Sequence, residues 1–172
     1  MDRALSAVLD RPVGWAGQLR RRTGSRDMKA TELFTSRIVR AGRDRVFAAW
    51  TQPELVKQWW GPPPYVCPHA EIDLRVGGAY RLANLGPDGE TIWISGVFTR
   101  VEVPDALSYT WKLSTHSTEP SLVHVSFADH PEGTEVSIHH ERFADAAVRD
   151  EHALGWQGCL GRLSDLMPGR AS

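Results

Sequence analysis

Cysteine is scarce in this chain: its 172 residues include two, Cys67 and Cys159. Two cysteines exclude a disulfide-rich framework and a four-cysteine zinc site. No apolar run approaches the ~18 residues of a membrane span, and the apolar stretch at residues 4–9 is too short for a signal-peptide core. The formal net charge is −1, which argues against a strongly basic nucleic-acid binder. These absences predict a cytoplasmic protein with neither nucleic acid nor membrane as partner.

The composition is that of one globular domain with an unusual start. Hydrophobic residues make up 41% and charged residues 24%, enough of the former for a real core. Residues 1–27 have no sustained period and end in an arginine cluster at positions 20–26. We therefore predict a poorly structured or loosely docked N-terminal extension over 1–27 and a single domain over 28–172.

Hydrophobic periodicity predicts a strand, two short helices, six more strands and one long helix. The first strand covers residues 31–39 and the first helix 44–50. Thr51 and Glu54 have the spacing of a capping box, which predicts a second helix running to Trp60, stopped by the prolines at 62–64. The further strands are predicted at 70–74, 79–85, 91–103, 106–113, 122–128 and 134–141.

The chain closes with a predicted helix over 145–167, with Asp145 as N-cap. One face of this helix is largely apolar, carrying His152, Trp156, Cys159, Leu160, Leu163 and Met167. Consecutive strands joined by tight turns imply an antiparallel meander. The expected class is therefore α+β: a curved antiparallel sheet of about six to seven strands wrapped around the long helix.

Several segments, in order, resemble a known family. Residues 48–55 read AAWTQPEL and residues 58–62 read QWWGP, similar to the AWT-x-PE and WWGP signature of domains like the activator of heat-shock-protein-90 ATPase. Further matches occur at 73–81, 86–89, 96–98, 107–111, 133–136 and 152–156. The resemblance covers about residues 31–167 and places the chain in the SRPBCC (START-like, helix-grip) superfamily. Gly42 departs from it, because the family often has proline there.

The resemblance implies the helix-grip fold, with a cavity between sheet and long helix that often holds an apolar or aromatic molecule. It does not settle the function, because members of the superfamily include lipid carriers, cyclases and co-chaperone domains. Seven tryptophans are many for this length. We predict that the wall of the cavity carries Trp60, Tyr80, Trp93, Tyr109, Trp111 and Trp156, with the open alternative that these rings only fill the core.

Two histidines are further candidates for the ligand site. His140 alternates with Val136 and Ile138, and His152 lies on the apolar face of the last helix. Each could orient a ligand or move a proton near pH 7, or could be a core histidine with satisfied nitrogens. His139 and His140 cannot share a metal ion from a regular strand, since adjacent side chains point to opposite faces. No metal site and no cofactor is predicted.

Three functions follow, in this order of preference. The first is a module that binds a small apolar or aromatic molecule in the cavity. The second is a protein-interaction domain, co-chaperone-like or self-associating as a homodimer, with a contact surface around Leu154. The third is an enzyme that uses the same cavity with His140 or His152 as acid–base. The sequence contains no Gly-x-Ser-x-Gly elbow and no phosphate-binding glycine loop to favour the third.

Overall fold

A seven-stranded antiparallel sheet forms most of the structure. The computed structural model describes residues 30–115 and 119–167, so the predicted extension over 1–27 lies outside the described residues. The strands lie in the order β1-β7-β6-β5-β4-β3-β2. Their bounds are β1 Glu32–Val39, β2 Ala70–Ile72, β3 Ala79–Leu85, β4 Thr91–Glu102, β5 Ala106–Leu113, β6 Ser121–His130 and β7 Gly133–Glu141.

Within the described part of the chain, three helices accompany the sheet: α1 Arg43–Thr51, α2 Pro53–Trp59 and α3 Ala146–Leu166. Helix α3 packs against β1 and α2, whereas α1 packs against β6 and β7. Strand β1 pairs with β7 and not with β2. Strands β2 to β7 pair in sequence order, so this part of the sheet is a curved meander. The predicted α+β class, the antiparallel sheet and the order of elements are confirmed.

Most predicted boundaries agree with the structure to within two residues, and the start of the last helix does so for the predicted reason. Asp145 caps α3, because its side chain accepts a hydrogen bond from the backbone N–H of Val148 at 3.0 Å. The predicted capping box at the second helix is wrong. Thr51 is the last residue of α1, and its hydroxyl donates to the carbonyl of Phe47 at 2.9 Å. Gln52 stands at the N-cap of α2 instead, with no side-chain cap.

The core lies between the concave face of the sheet and α3. Strand β7 alternates half-buried and buried positions along its whole length, with Val136, Ile138 and His140 pointing inward. On α3 the buried residues include Trp156, Cys159, Leu160 and Leu163, which confirms the predicted apolar face. Both surfaces bring aromatic rings to the middle of the molecule, and the candidate site is built there.

Candidate functional site

A cavity of about 210 Å³, called the main cavity below because it lies between the sheet and the long helix, is found where α3 faces β4 and β5. The sheet supplies Ile92, Ile94, Trp111 and Leu113, and the helix supplies His152, Gly155, Trp156 and Cys159. The remaining wall comes from β3 and from the segment after α2, through Asn84, Trp60, Pro62 and Tyr65. Glu151 is the exposed residue of the wall, so the cavity opens to solvent where Glu151 lies, and this opening is its mouth.

Three tryptophans make the inner end of this cavity. The ring centroids of Trp60, Trp111 and Trp156 lie 5.3 to 5.9 Å from one another, in tilted or edge-to-face arrangements. Trp60 and Trp111 also line a second space of about 30 Å³, whose wall includes Tyr80 and Tyr109. These two indoles therefore stand between the two spaces, and the predicted aromatic residues divide into two groups around them.

Two buried polar atoms in the wall of the main cavity have no hydrogen-bond partner. They are the indole Nε1 of Trp60 and the Oδ1 of Asn84. Buried polar groups are otherwise paired almost without exception, because an unpaired one costs roughly 1–3 kcal/mol. One atom is a donor and the other an acceptor, so the apolar wall offers two unused polar groups of opposite kind. Asn84 was not among the predicted residues, since a lone asparagine in a strand carries no sequence signal.

His140 is a fully buried core histidine that does not line the main cavity. The indole Nε1–H of Trp156 donates to its Nδ1 at 3.1 Å, so Nε2 carries the proton of the neutral ring. Nε2 then donates to the hydroxyl of Ser121 at 2.7 Å, and that hydroxyl donates to the carbonyl of Trp111 at 3.3 Å. Burial holds the pKa of His140 well below its usual value, with the nearby histidines lowering it further.

His152 does line the main cavity, but both of its ring nitrogens are occupied. Its Nδ1–H donates to the carbonyl of Val148 at 2.9 Å, and its Nε2 accepts from the indole of Trp111 at 3.1 Å. A general base needs a nitrogen within reach of a substrate proton. In this arrangement His152 presents the side of its ring to the cavity and keeps neither nitrogen for proton transfer.

Tyr80 and Tyr109 border the smaller space and are held by hydrogen bonds. The hydroxyl of Tyr80 donates to the carbonyl of Thr110 at 2.6 Å, while that of Tyr109 accepts from the indole of Trp50 at 3.3 Å. Burial raises the pKa of both phenols. Both therefore stay neutral and act as aromatic wall.

Trp93 does not share this space. In β4 the side chains of Ile92 and Ile94 reach the main cavity, and neighbouring side chains in a strand point to opposite faces. The Trp93 ring lies on the other face, with the guanidinium of Arg81 at 3.8 Å from its centroid and His69 at its edge. The prediction that Trp93 lines the cavity placed it on the wrong face of its strand.

The segment Gly61–Tyr65 closes one side of the cavity by lying directly on α3. Gly158 makes this approach close, because a Cβ at that position would be 2.9 Å from the Cβ of Pro62. Arg162, one turn further along α3, donates to the carbonyls of Gly61 and Tyr65 at 2.8 and 2.5 Å. Gly158 thus allows the proline-rich segment to lie against the helix backbone, and Arg162 holds it there.

Cys159 belongs to the same wall, and its thiol is unreactive. Burial raises the pKa of its thiol to about 12, so it is protonated at neutral pH. Cys67 is buried as well, and its thiol donates to the carbonyl of His69 at 3.3 Å. Neither thiol is placed to act as a nucleophile.

A long helix gripped by a curved antiparallel sheet, with an aromatic-walled cavity between them, defines a helix-grip protein. Residues 40–167 match the family model described as "Activator of Hsp90 ATPase homolog 1-like protein". The chain belongs to this family, within the SRPBCC superfamily, as the sequence signature predicted.

Solved structures of similar fold agree with this assignment. A Chromobacterium violaceum protein is 27% identical with a TM-score of 0.73, and the match covers 80% of this chain and 97% of that one. The AHSA1-like protein from Aeromonas hydrophila is 25% identical with a TM-score of 0.67, covering 78% and 90%. A Nitrosomonas europaea protein shares the fold at 22% identity and a TM-score of 0.70, covering 81% and 96%. No curated protein matches the chain.

Among the described residues, none of the helices combines the length and apolarity that crossing a bilayer requires.

Proposed function

We propose that this chain is a cytoplasmic binding module that holds one small apolar or aromatic molecule in the main cavity. The observation that carries the proposal is the pairing of an apolar cavity of about 210 Å³ with two unpartnered polar atoms, Trp60 Nε1 and Asn84 Oδ1. Ligand sites are mostly apolar with a few polar groups that fix orientation. A ligand that fills the cavity and forms hydrogen bonds to these two atoms would bury its apolar surface and satisfy the unpaired polar groups.

The size of the cavity limits the ligand. An apolar cavity of about 150 Å³ in another protein accommodates benzene. The present volume of about 210 Å³ therefore suits one ring with small substituents, or a compact bicycle. A hydroxyl on such a ring could accept from the indole of Trp60 or donate to the oxygen of Asn84.

The catalytic alternative finds little support in the same geometry. Both nitrogens of His140 and both of His152 already have protein partners. The interaction alternative has little support either, because Leu154 is half-buried and not fully exposed. The large exposed hydrophobics among the described residues are four valines, at 66, 76, 97 and 103. Self-association as a homodimer stays a prediction.

The first test is native mass spectrometry of gently purified protein, followed by release and identification of any bound small molecule. The second is calorimetric titration with 1-naphthol, and with naphthalene as the matched ligand without a polar group. We expect W60F to weaken 1-naphthol binding about tenfold, the worth of one hydrogen bond, and to affect naphthalene much less. W93F is the control, because Trp93 lies on the other face of β4.

A cavity-filling variant provides an independent test. G155L should abolish binding of both ligands, since Gly155 lines the cavity and a Cβ there has 3.9 Å to the nearest atom, Pro62 Cγ. G161L is the matched control on the same helix, because Gly161 is outside the cavity wall and its Cβ would have 4.0 Å to Arg37. Equal affinity of G155L and G161L for 1-naphthol would contradict the proposal.

A further inference from the structure

A cluster of metal-ligating side chains lies on the outer face of the sheet, opposite to the cavity. His124 of β6 pairs in register with His139 of β7, and Glu141 follows two residues later on the same face. The two imidazoles lie with centroids 5.4 Å apart and 27° between their planes. Among the residues the structure describes, this is the one group of three His, Cys, Asp or Glu whose ligand atoms all lie within 4.8 Å of one another.

We propose that His124, His139 and Glu141 form a binding site for one divalent transition-metal ion, with Zn²⁺ as the preferred metal. Two imidazoles and a carboxylate are a ligand set that Zn²⁺ accepts, with bonds of about 2.0–2.2 Å. Two ligands of a tetrahedral ion at that bond length are about 3.3 Å apart. The Nε2 of His124 and the Oε2 of Glu141 are 2.8 Å apart, so shifts of an ångström or so in half-buried side chains would accommodate the ion.

The surroundings of His124 match those of a metal ligand. Its Nδ1 lies 2.8 Å from the hydroxyl of Ser108, a buried residue of β5. When Nδ1 donates to that hydroxyl, the lone pair is left on Nε2, which points to Glu141. Metal-binding histidines usually have such a partner on the second nitrogen, because it fixes the tautomer and the ring orientation.

His139 is held in position from its other side. Phe34 of β1 stacks on it at 4.2 Å between centroids and 6° between planes. Its Nε2 lies 2.8 Å from the Oε1 of Glu32, which brings a second carboxylate to the edge of the cluster as the candidate for the fourth position. With both carboxylates, the four ligand side chains would balance the charge of a divalent cation.

The sequence predicts no metal site, because neighbours on one strand do not bring three ligands together. His139 and His140 do point to opposite faces, as expected, and His140 is in the core. The partner of His139 comes instead from the next strand, at a register that the sequence does not reveal. His69 and Glu71 form a similar exposed pair that has no third ligand among the described residues, and they therefore provide a matched control.

The test uses the full chain without an affinity tag, stripped with a chelator and titrated calorimetrically with ZnCl₂. We expect one ion per chain and a rise of about 5–10 °C in the thermal midpoint at Zn²⁺ concentrations 100-fold above Kd. H124A and H139A should each weaken binding at least tenfold, and S108A about tenfold, because it removes the hydrogen bond to His124 Nδ1. H69A should bind as the parent does.

Two results would overturn the proposal: no saturable binding below millimolar Zn²⁺, or equal affinities of H139A and the parent. Far-UV circular dichroism establishes that each variant is folded. Visible absorption of the Co²⁺ form provides a readout that depends on coordination, because a tetrahedral site with two imidazoles absorbs strongly. That absorption should be absent from H124A and unchanged in H69A.

Discussion

The three glycines of α3 predict two opposite responses to the same substitution, one at Gly155 and Gly161 and the other at Gly158. Gly155, Gly158 and Gly161 all lie inside one helix, so alanine removes the same backbone entropy cost at each. What differs is the space for the new methyl group. A Cβ would have 3.9 Å to Pro62 at position 155 and 4.0 Å to Arg37 at position 161, but only 2.9 to 3.1 Å to three proline atoms at position 158.

The expected free energies follow from these distances. At positions 155 and 161, the gain in helix propensity should stabilise the fold by about 0.5–1 kcal/mol. At position 158 the same gain meets overpacking, which costs typically 1–3 kcal/mol. The clash involves Pro62 Cβ and Cα and Pro63 Cδ, which belong to rings fixed to the backbone and cannot rotate away. G158A should therefore be destabilised by up to about 2 kcal/mol relative to the parent.

The assay is urea denaturation of the three single variants, followed by circular dichroism, with equal m-values as the condition for comparison. G158A should also release the segment Gly61–Tyr65, which faster hydrogen exchange at the amide of Tyr65 would detect, because that amide donates to the carbonyl of Pro62 at 2.8 Å. The decisive quantity is the difference between G158A and G155A, because helix propensity cancels in it. If the two variants were equally stable, the close contact between α3 and the prolines would not exist, and the described wall of the cavity would be wrong.

Three further predictions concern the groups around the cavity. The free energy of unfolding should fall below pH 6.5 by up to about 1.4 kcal/mol per pH unit, because His140 binds a proton in the unfolded chain but stays neutral when buried. Urea titrations at pH 7.5 and 5.5 would measure this loss, and H140Q should reduce the dependence of stability on pH. S121A should cost about 1–3 kcal/mol at pH 7.5 in the same assay, since His140 Nε2–H loses its acceptor. R162A should speed hydrogen exchange at the amide of Tyr65, and unchanged exchange there would show that the arginine does not hold the segment.

The fold could be predicted from the sequence because its signals are local. Strand alternation, the turn residues between strands and the cap at Asp145 each depend on a few neighbouring residues, and the structure agrees with all three. The failure at Thr51 is local as well. A threonine at the end of one helix and before another can cap the second or bond back to the first, and here the carbonyl of Phe47 four residues earlier is the partner.

The candidate site could be predicted only in part, because its details depend on pairings between distant segments. Periodicity places Trp111 and Trp156 on inward faces, and the structure brings them together at 5.3 Å. Periodicity cannot show that Asn84 Oδ1 lies in the cavity wall without a hydrogen-bond partner, or that both nitrogens of His140 are hydrogen-bonded, to Trp156 and Ser121. Trp93 fails for a simpler reason: in a strand with large residues on both faces, size alone does not indicate which face is inside.

The electrostatics of the cavity further restrict the class of ligand that we propose for it. His152 is neutral by its hydrogen bonds, and its indole partner Trp111 is neutral too. The charged residue in the wall is Glu151, which is exposed at the mouth. A ligand carboxylate would lose its hydration inside without meeting a cation, and would pass a negative charge on the way in. The cavity should therefore select neutral molecules. The ligand group that forms hydrogen bonds with Trp60 and Asn84 should be a hydroxyl, carbonyl or amide and not an acid.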